Sequence, residues 1–272
     1  MNSRFAQDVV LRLLADAPFR EGAIQDPRAF GSEVASVVSK VDLAGLDRFG
    51  RFLCRHYYRE RVVHYFKYSR ALTPLTHRAP EAVLKIPEFN ALMPRLILGD
   101  RTSAGAVLDI LHRFLTLDGE AIRATVPYWD DQLAYQGAFF MSDALPQPRE
   151  AQRFPARSET TTIIELDWDL PQVLPALLRP FRELPIPPRR PTRLLFARSQ
   201  HGDVTALRCT DSLKKLLEGL TGEVSPDQVA ARMGLDPGSF DKALKQLEQL
   251  GAVLAQESFS SSHVGSDLPQ SR

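Results

Sequence analysis

The C-terminal run from Arg193 to Leu254 constrains the fold more than any other part of the chain. RLLFARS and VTALR flank the turn residues QHGD at positions 200–203, and this pattern predicts a β-hairpin. CTDSLKKLLEGLTG predicts a helix that ends at Gly222. SPDQVAARMGL and DPGSFDKALKQLEQLGAVL predict two helices joined by a tight turn and followed by a wing-like tail. This order is typical of a winged-helix module, which recognises a DNA groove or a peptide along a strand edge and is not in itself a catalytic site.

The rest of the sequence predicts an α+β protein with an all-helical N-terminal domain at 1–145. The densest helical pattern runs from Leu46 to Leu72, with a wide apolar face made of Phe49, Phe52, Leu53, Tyr57, Val62, Val63, Phe66 and Leu72. The polar, proline-bearing stretch PQPREAQRFPARS predicts a linker at 146–158. ETTTIIELDW then predicts a strand that opens a winged-helix-like domain at 159–256, and the serine-rich residues 257–272 predict a disordered tail.

Charge and composition narrow the class of function. The 34 basic residues almost balance the 33 acidic ones, whereas a dedicated DNA-binding protein usually has a basic excess. No apolar run of about 18 residues is present, so no membrane partner is expected. Only Cys54 and Cys209 are cysteines, and the first residues lack the continuous apolar stretch of a signal peptide, so a reducing cytoplasm is expected.

A run of alternating aromatic and basic residues, RHYYRERVVHYFKYSR at 55–70, is the best candidate for a surface that contacts a partner protein. Tyrosine and arginine dominate protein interfaces because they bury area and keep polar groups available. The candidate contact residues are Arg55, Tyr57, Tyr58, Arg59, Tyr65 and Tyr68. Two alternatives remain: a core helix with arginine stems extended along it, or contact with a nucleic-acid backbone.

No catalytic set or metal site is predicted. Cys54, His56, Glu60 and His64 could supply metal ligands on paper, but their spacing matches no metal motif well. Nucleophile-elbow, zincin and P-loop motifs are all missing from the sequence. The acidic pair at 130–131 follows Trp129 at a predicted helix start, where negative charge stabilises the helix dipole and catalysis is the less favoured role.

The second predicted helix of the turn motif favours peptide over DNA. Its first turn carries Asp236 and Asp241, which would face phosphates with negative charge, and Lys242 and Lys245 offset this only in part. A peptide instead needs an open strand edge beside a helix. The predicted peptide-binding residues are the hairpin edge Leu194, Leu195, Phe196, Ala197 and Arg198, and the facing helix residues Phe240, Leu244 and Leu247.

The segments ETTTIIELDWDLPQVLPAL and PTRLLFARSQHGDVTALRCTDSLKKLLEGL resemble the partner proteins of multinuclear non-heme iron-dependent oxidases that modify ribosomal peptides. PYWDDQLAYQGAFF is similar to the helix that closes the N-terminal domain of such partners, which often have an acidic residue where Gln136 stands. The likeness covers nearly the whole chain and is greatest to partners of the thiaglutamate pathway. It implies a C-terminal domain like a peptide-recognition element.

The resemblance also implies a function. The iron would lie in the oxidase subunit, and this chain would hold no cofactor of its own. It would bind a ribosomal precursor peptide in a heterodimer and present a C-terminal residue, cysteine in the relatives, for a modification such as β-carbon excision. The alternative is a winged-helix transcription regulator that binds DNA.

Overall fold

The computed structural model describes residues 3–146 and 152–254. Three predicted segments lie wholly or partly outside the described residues: positions 147–151 of the linker, the last two residues of the C-terminal domain, and the whole tail at 257–272. The α+β class and the helical N-terminal region are confirmed. Ten helices form this region: α1 (Ser3–Ala15), α2 (Ala17–Gln25), α3 (Ser32–Val38), α4 (Leu43–Tyr65), α5 (Lys67–Ala71), α6 (Thr73–Thr76), α7 (Pro87–Leu92), α8 (Arg101–Leu115), α9 (Gly119–Thr125) and α10 (Trp129–Ser142).

The C-terminal region alternates short strands with helices. Its elements are β1 (Ala156–Arg157), β2 (Thr162–Leu166), α11 (Leu174–Leu177), β3 (Thr192–Arg198), β4 (Val204–Arg208), α12 (Asp211–Gly219), α13 (Pro226–Met233), α14 (Pro237–Gln249) and β5 (Val253–Leu254). Short 3-10 turns lie at Pro27–Phe30, Pro80–Lys85, Met93–Arg95 and Leu170–Gln172. Across the described residues, no helix combines the length and the apolar composition that a membrane span requires.

Helix α4 is the long helix of the N-terminal region, and the predicted Leu46–Leu72 helix is in fact two helices. The side chain of Asp42 caps α4 by accepting a hydrogen bond from the Gly45 N–H at 3.0 Å. The helical hydrogen-bond ladder stops at Phe66, whose φ of −98° and ψ of 26° separate α4 from α5. The predicted apolar face is wrong at Phe49 and Phe52, which are 49% and 61% exposed.

Strands β2, β3 and β4 form an antiparallel sheet in that order. The predicted hairpin is confirmed, with Gly202 at φ 95° in its turn. The side chains of β3 alternate between two cores, as the two-residue period of a strand requires. Leu194 and Phe196 pack with the N-terminal helices, whereas Leu195 and Ala197 pack with α12, α13 and α14.

The largest core therefore continues across the predicted domain boundary. Helix α10 packs across all three strands on one face of the sheet. The same core takes in Leu166, Leu170 and Leu174 from the C-terminal region together with Tyr58 and Trp129 from the N-terminal region. Among the described residues, helices thus cover both faces of the sheet, and its two edges remain available to a further strand.

Helices α13 and α14 are the two helices predicted around a tight turn. Ser225 and Asp236 cap them through bonds to the N–H groups three residues on. Gly234 takes the left-handed conformation that ends α13, at φ 64°. Helix α12 ends at Gly219, three residues before the predicted end at Gly222.

A buried carboxylate fixes the end of β4. Asp169 has no exposed side-chain area and accepts hydrogen bonds from Arg208 at 2.7 Å and from Arg190. Gln172 donates a third at 2.7 Å. Burial raises the pKa of Asp169, but the two guanidinium groups outweigh burial and hold it below its usual range. The carboxylate therefore stays ionised and ties β4 to the proline-rich segment before β3.

Candidate functional site

The free edges of the sheet are the first place where a ligand could bind. Strand β3 lies between β2 and β4, so the prediction of an open edge at 194–198 is wrong. Leu194, Leu195, Phe196 and Ala197 are buried, and only Arg198 is partly exposed. The hairpin does supply a free edge, but it is that of β4.

The register identifies the unpaired backbone groups of β4. Ser199 donates to the Asp203 carbonyl at 2.8 Å, and Cys209 donates to the Arg193 carbonyl at 2.9 Å. Because hydrogen-bonded pairs alternate in an antiparallel ladder, Thr205 and Leu207 bond to β3. The N–H and C=O groups of Val204, Ala206 and Arg208 consequently point away from β3.

The opposite edge of the sheet, on β2, is more obstructed. The Arg157 guanidinium donates to the Thr161 carbonyl at 2.8 Å, just before β2 begins. Just after it ends, the Trp168 N–H donates to the Asp131 carboxylate at 2.8 Å. Among the described residues, the comparable side-chain contact on β4 lies at its end, where Arg208 donates to Asp169 at 2.7 Å, whereas Thr205 near its start is exposed. The β4 edge is therefore the better candidate for pairing with another strand.

A cavity of about 240 Å³ lies at the start of β4, between the hairpin turn and helices α4, α5 and α10. We call it the tyrosine pocket. Its lining residues are His64, Tyr65, Lys67, Tyr68, Tyr135, Phe139, Gly202, Asp203 and Val204. Two tyrosines predicted to contact a partner and the predicted hairpin, far apart in sequence, thus meet at one site.

Gln136 of α10 holds the joint between α4 and α5 that positions the pocket tyrosines. Its side-chain oxygen accepts from the backbone N–H groups of Tyr68 and Ser69 at 3.1 and 3.2 Å. Its amide nitrogen donates to the Ser69 hydroxyl at 2.6 Å. A side chain inserted into the helical ladder is a known cause of kinks. Tyr65 and Tyr68 lie on either side of this joint, and both line the pocket.

A buried cluster of charges lies behind Tyr65. Arg61 donates to the Asp143 carboxylate and, at 2.6 Å, to the Phe140 carbonyl. Arg198 of β3 also lies near Asp143, at 3.9 Å. Burial raises the pKa of Tyr65, and the negative charge of Asp143 is the second cause of this increase, so the phenol stays protonated. This cluster ties α4, the end of α10 and the hairpin into one unit.

The predicted partner-contacting residues divide into three groups. Arg55 and Arg59 are exposed, and Tyr57, Tyr65 and Tyr68 are half-buried. Tyr58 is fully buried, so the prediction that it contacts a partner is wrong. It belongs to the core stripe of α4, four residues from Cys54 and from Val62.

An exposed aromatic stack on α4 lies outside the predicted set of partner-contacting residues. The ring centroids of Phe49 and Phe52 are 6.1 Å apart, and those of Phe52 and His56 are 6.0 Å apart. Helical spacing puts this stack on the face opposite Cys54, Tyr58 and Val62. The sequence contains the signal for this exposure. Cys54, Tyr58 and Val62 recur every fourth residue on one helix face, and residues on the opposite face cannot contact the same core.

The predicted helix residues Phe240, Leu244 and Leu247 are also core residues. All three are buried along one stripe of α14, in the same core cluster as Leu195 and Ala197 of β3. Because their side chains belong to this core, they offer no open surface to a peptide. Their burial corrects the prediction that they contact a ligand directly.

Cys54, His56, Glu60 and His64, the candidate metal ligands, all lie on α4. Within 3–146 and 152–254, no three His, Cys, Asp or Glu side chains come together as metal ligands. Burial raises the pKa of Cys54 to about 11, so this thiol is a poor nucleophile. No protein-family model matches the chain, and no curated protein is significantly similar to it. What the site can do therefore rests on its geometry, an open strand edge beside an aromatic pocket.

Proposed function

We propose that this chain binds an extended peptide as an added strand on β4 and is the non-catalytic partner subunit of an iron-dependent oxidase. In this proposal the C-terminal region acts as a winged-helix-like peptide-recognition element. The observation that carries the proposal is the β4 edge, which no described strand pairs with on its outer side, with the tyrosine pocket at its start. Strand addition gains main-chain hydrogen bonds whatever the peptide sequence, and a pocket supplies selectivity.

The backbone of β4 supports this mode of binding. Val204, Ala206 and Arg208 each direct one donor and one acceptor outward. Each hydrogen bond made to an added strand contributes about 0.5–1.5 kcal/mol net. Because α10 and the C-terminal helices hold both faces of the sheet, the edge is already ordered before a peptide arrives, which lowers the entropic cost of binding.

The outer face of α4 supports contact with a second protein. Phe49 and Phe52 expose about half or more of their side chains, next to the cationic Arg55 and Arg59. Exposed aromatic residues flanked by arginine are typical of protein interfaces. We assign this face to the oxidase subunit, whose iron would carry out the chemistry on the peptide presented by β4. Holding the reacting residue near the metal would replace a chance encounter by a local one.

Substitution of Ala206 by proline tests strand addition. Proline removes the outward N–H of residue 206, which makes no bond to β3, so the fold is retained. We expect affinity for precursor peptides to fall about tenfold, since one hydrogen bond is lost and the ring crowds the added strand. Glu165→Pro is the control for the other edge, because it removes an outward N–H from β2. It also removes the exposed ion pairs of Glu165 with Arg193 and Lys214, so the stability of both variants is measured as well. Equal losses in both variants, or no loss in Ala206→Pro, would count against β4.

Co-purification tests the partnership with the oxidase. The tagged chain, isolated from its native cells, should carry a stoichiometric iron protein and a ribosomal peptide, identified by metal analysis and mass spectrometry. A chain that remains alone in the presence of a candidate oxidase and shows no peptide affinity would refute the proposal.

DNA binding is the second candidate, favoured by the exposed Lys242 and Lys245 on α14. Two features count against it. Asp236 caps α14, and the Ser239 hydroxyl and N–H hold the pKa of its carboxyl below its usual range, so negative charge stays at the helix start. Asp241 is exposed one turn further on. Duplex DNA affinity that falls steeply with salt would favour this alternative.

A further inference from the structure

We infer that the tyrosine pocket receives an aromatic side chain of the bound peptide, from the residue that pairs with Val204. This inference rests on the proposed strand addition to β4 and assigns the peptide a recognition residue. It also determines which end of the peptide extends beyond the β4 edge, next to α4.

The face of the sheet determines which peptide side chains meet the pocket. Val204 pairs with Arg198, and Ala206 pairs with Phe196, whose side chain lies on the α10 side of the sheet. Paired residues in neighbouring strands point to the same face. A peptide residue opposite Val204 therefore directs its side chain toward α10, where Val204 itself lines the pocket.

The size of the pocket suits one large side chain. Its volume of about 240 Å³ is below the roughly 300–1,000 Å³ of small-molecule sites. Its aromatic walls already pack edge to face: the centroids of Tyr135 and Phe139 are 5.2 Å apart, with an interplanar angle of 67°. Tyr65 and Phe139 stack at 6.3 Å. Another ring can join this arrangement with the offset or edge-to-face geometry that aromatic pairs prefer.

Two phenols give the pocket a polar side. Tyr68 and Tyr135 both line the pocket, with their ring centroids 6.5 Å apart. Burial raises the pKa of both groups, so they remain neutral donors. A ring that carries a hydroxyl or an indole N–H can bond to them while its carbon atoms stay against Phe139. The pocket therefore favours Tyr, Trp and Phe over aliphatic side chains of similar size.

The direction of the peptide follows from the direction of β4. The sheet is antiparallel throughout, and antiparallel addition continues its ladder. A peptide antiparallel to β4 passes Arg208 first, Ala206 second and Val204 last. The aromatic residue is then the last docked position, and the chain beyond it leaves past the turn at Gly202, beside the end of α4. The C-terminal part of the peptide is thus the part that is presented.

A selection from a random dodecapeptide library displayed on phage, with the full chain as target, tests the inference. We expect one position of the selected peptides to be enriched in Phe, Tyr or Trp, and replacement of that residue by Ala to weaken binding at least tenfold. Val204→Trp fills the pocket from β4 and should cause a similar loss. Thr205→Trp is the matched control, because its side chain points to the other face of the sheet, and it should bind normally.

Cross-linking of the selected peptides shows in which direction the peptide runs along β4. A photoreactive residue placed directly after the aromatic position should label the α4–α5 region, whereas one placed four residues before it should label the chain near Arg208. Enrichment of aliphatic residues, equal losses in Val204→Trp and Thr205→Trp, or the reverse labelling would overturn the inference. If binding is sensitive to Ala206→Pro but not to the aromatic residue, strand addition stands and the pocket assignment fails. If no peptide is selected, both fail.

Discussion

Gln136 and Gln132 lie one turn apart on α10, both fully buried, and we expect only the substitution of Gln136 by leucine to destabilise the protein. Gln136→Leu removes the acceptor of the Tyr68 and Ser69 N–H groups and the donor to the Ser69 hydroxyl. Each buried polar group left without a partner costs about 1–3 kcal/mol. Relaxation of the α4–α5 joint will offset part of this free-energy cost. We expect a net loss of about 3 kcal/mol in the free energy of unfolding.

Gln132→Leu is the internal control. The side-chain oxygen of Gln132 is buried without a hydrogen-bond partner, and its amide makes only a long 3.4 Å contact to the Ser69 hydroxyl. Replacing an unsatisfied amide by an apolar side chain of similar size removes a desolvation penalty. We expect this variant to be within about 1 kcal/mol of the parent protein, or more stable.

Urea denaturation measures both effects. Trp129 is buried at the start of α10, and its fluorescence reports the unfolding of this core. A loss of about 3 kcal/mol corresponds to a melting temperature roughly 6–12 °C lower in a protein of this size. Gln136→Leu should also weaken peptide binding, since the joint that carries the pocket residues Tyr65 and Tyr68 loses its hydrogen bonds to α10. Equal costs for the two variants would show that side-chain packing, not the hydrogen bonds to the joint, determines stability here.

Three further outcomes are expected. The free energy of unfolding should fall as the pH drops below about 4, because the folded pKa of Asp169 lies below its unfolded value, and Asp169→Asn should flatten this part of the pH profile. A profile that is equally steep in the variant would contradict that role. Gly251→Ala should destabilise by about 2 kcal/mol or more, since Gly251 has φ 73° and an added Cβ would lie 1.9 Å from the Arg198 carbonyl oxygen; an unchanged urea midpoint would refute this. Phe52→Ser should abolish co-purification of the oxidase while leaving the melting temperature within a few degrees, and unchanged co-purification would remove the α4 face from the proposed interface.

The sequence by itself determined the local structure. The turn residues at 200–203 specify the hairpin, because Gly202 alone tolerates the positive φ that closes it. Asp236, followed by proline and an apolar stripe, fixes the start of α14. The balance of helical and strand-like periods was sufficient for the α+β class. These features depend on residues within a few positions of one another, which is why a single sequence reveals them.

The tertiary structure alone decided which surfaces are open. Strand order depends on pairing between distant segments, and nothing in the pattern of 193–208 shows that β2 covers one side of β3. The apolar content of α4 likewise does not separate the buried Tyr58 from the exposed Phe52, because the neighbours of each lie far away in the chain. The tyrosine pocket likewise combines α4, α5, α10 and the hairpin turn, and the α4–α5 joint beside it is bonded to Gln136 on a third helix. Which surfaces are open depends on packing between segments that are distant in the sequence. The spacing of apolar residues within one helix or strand does not specify this packing, so the site could not be located from the sequence.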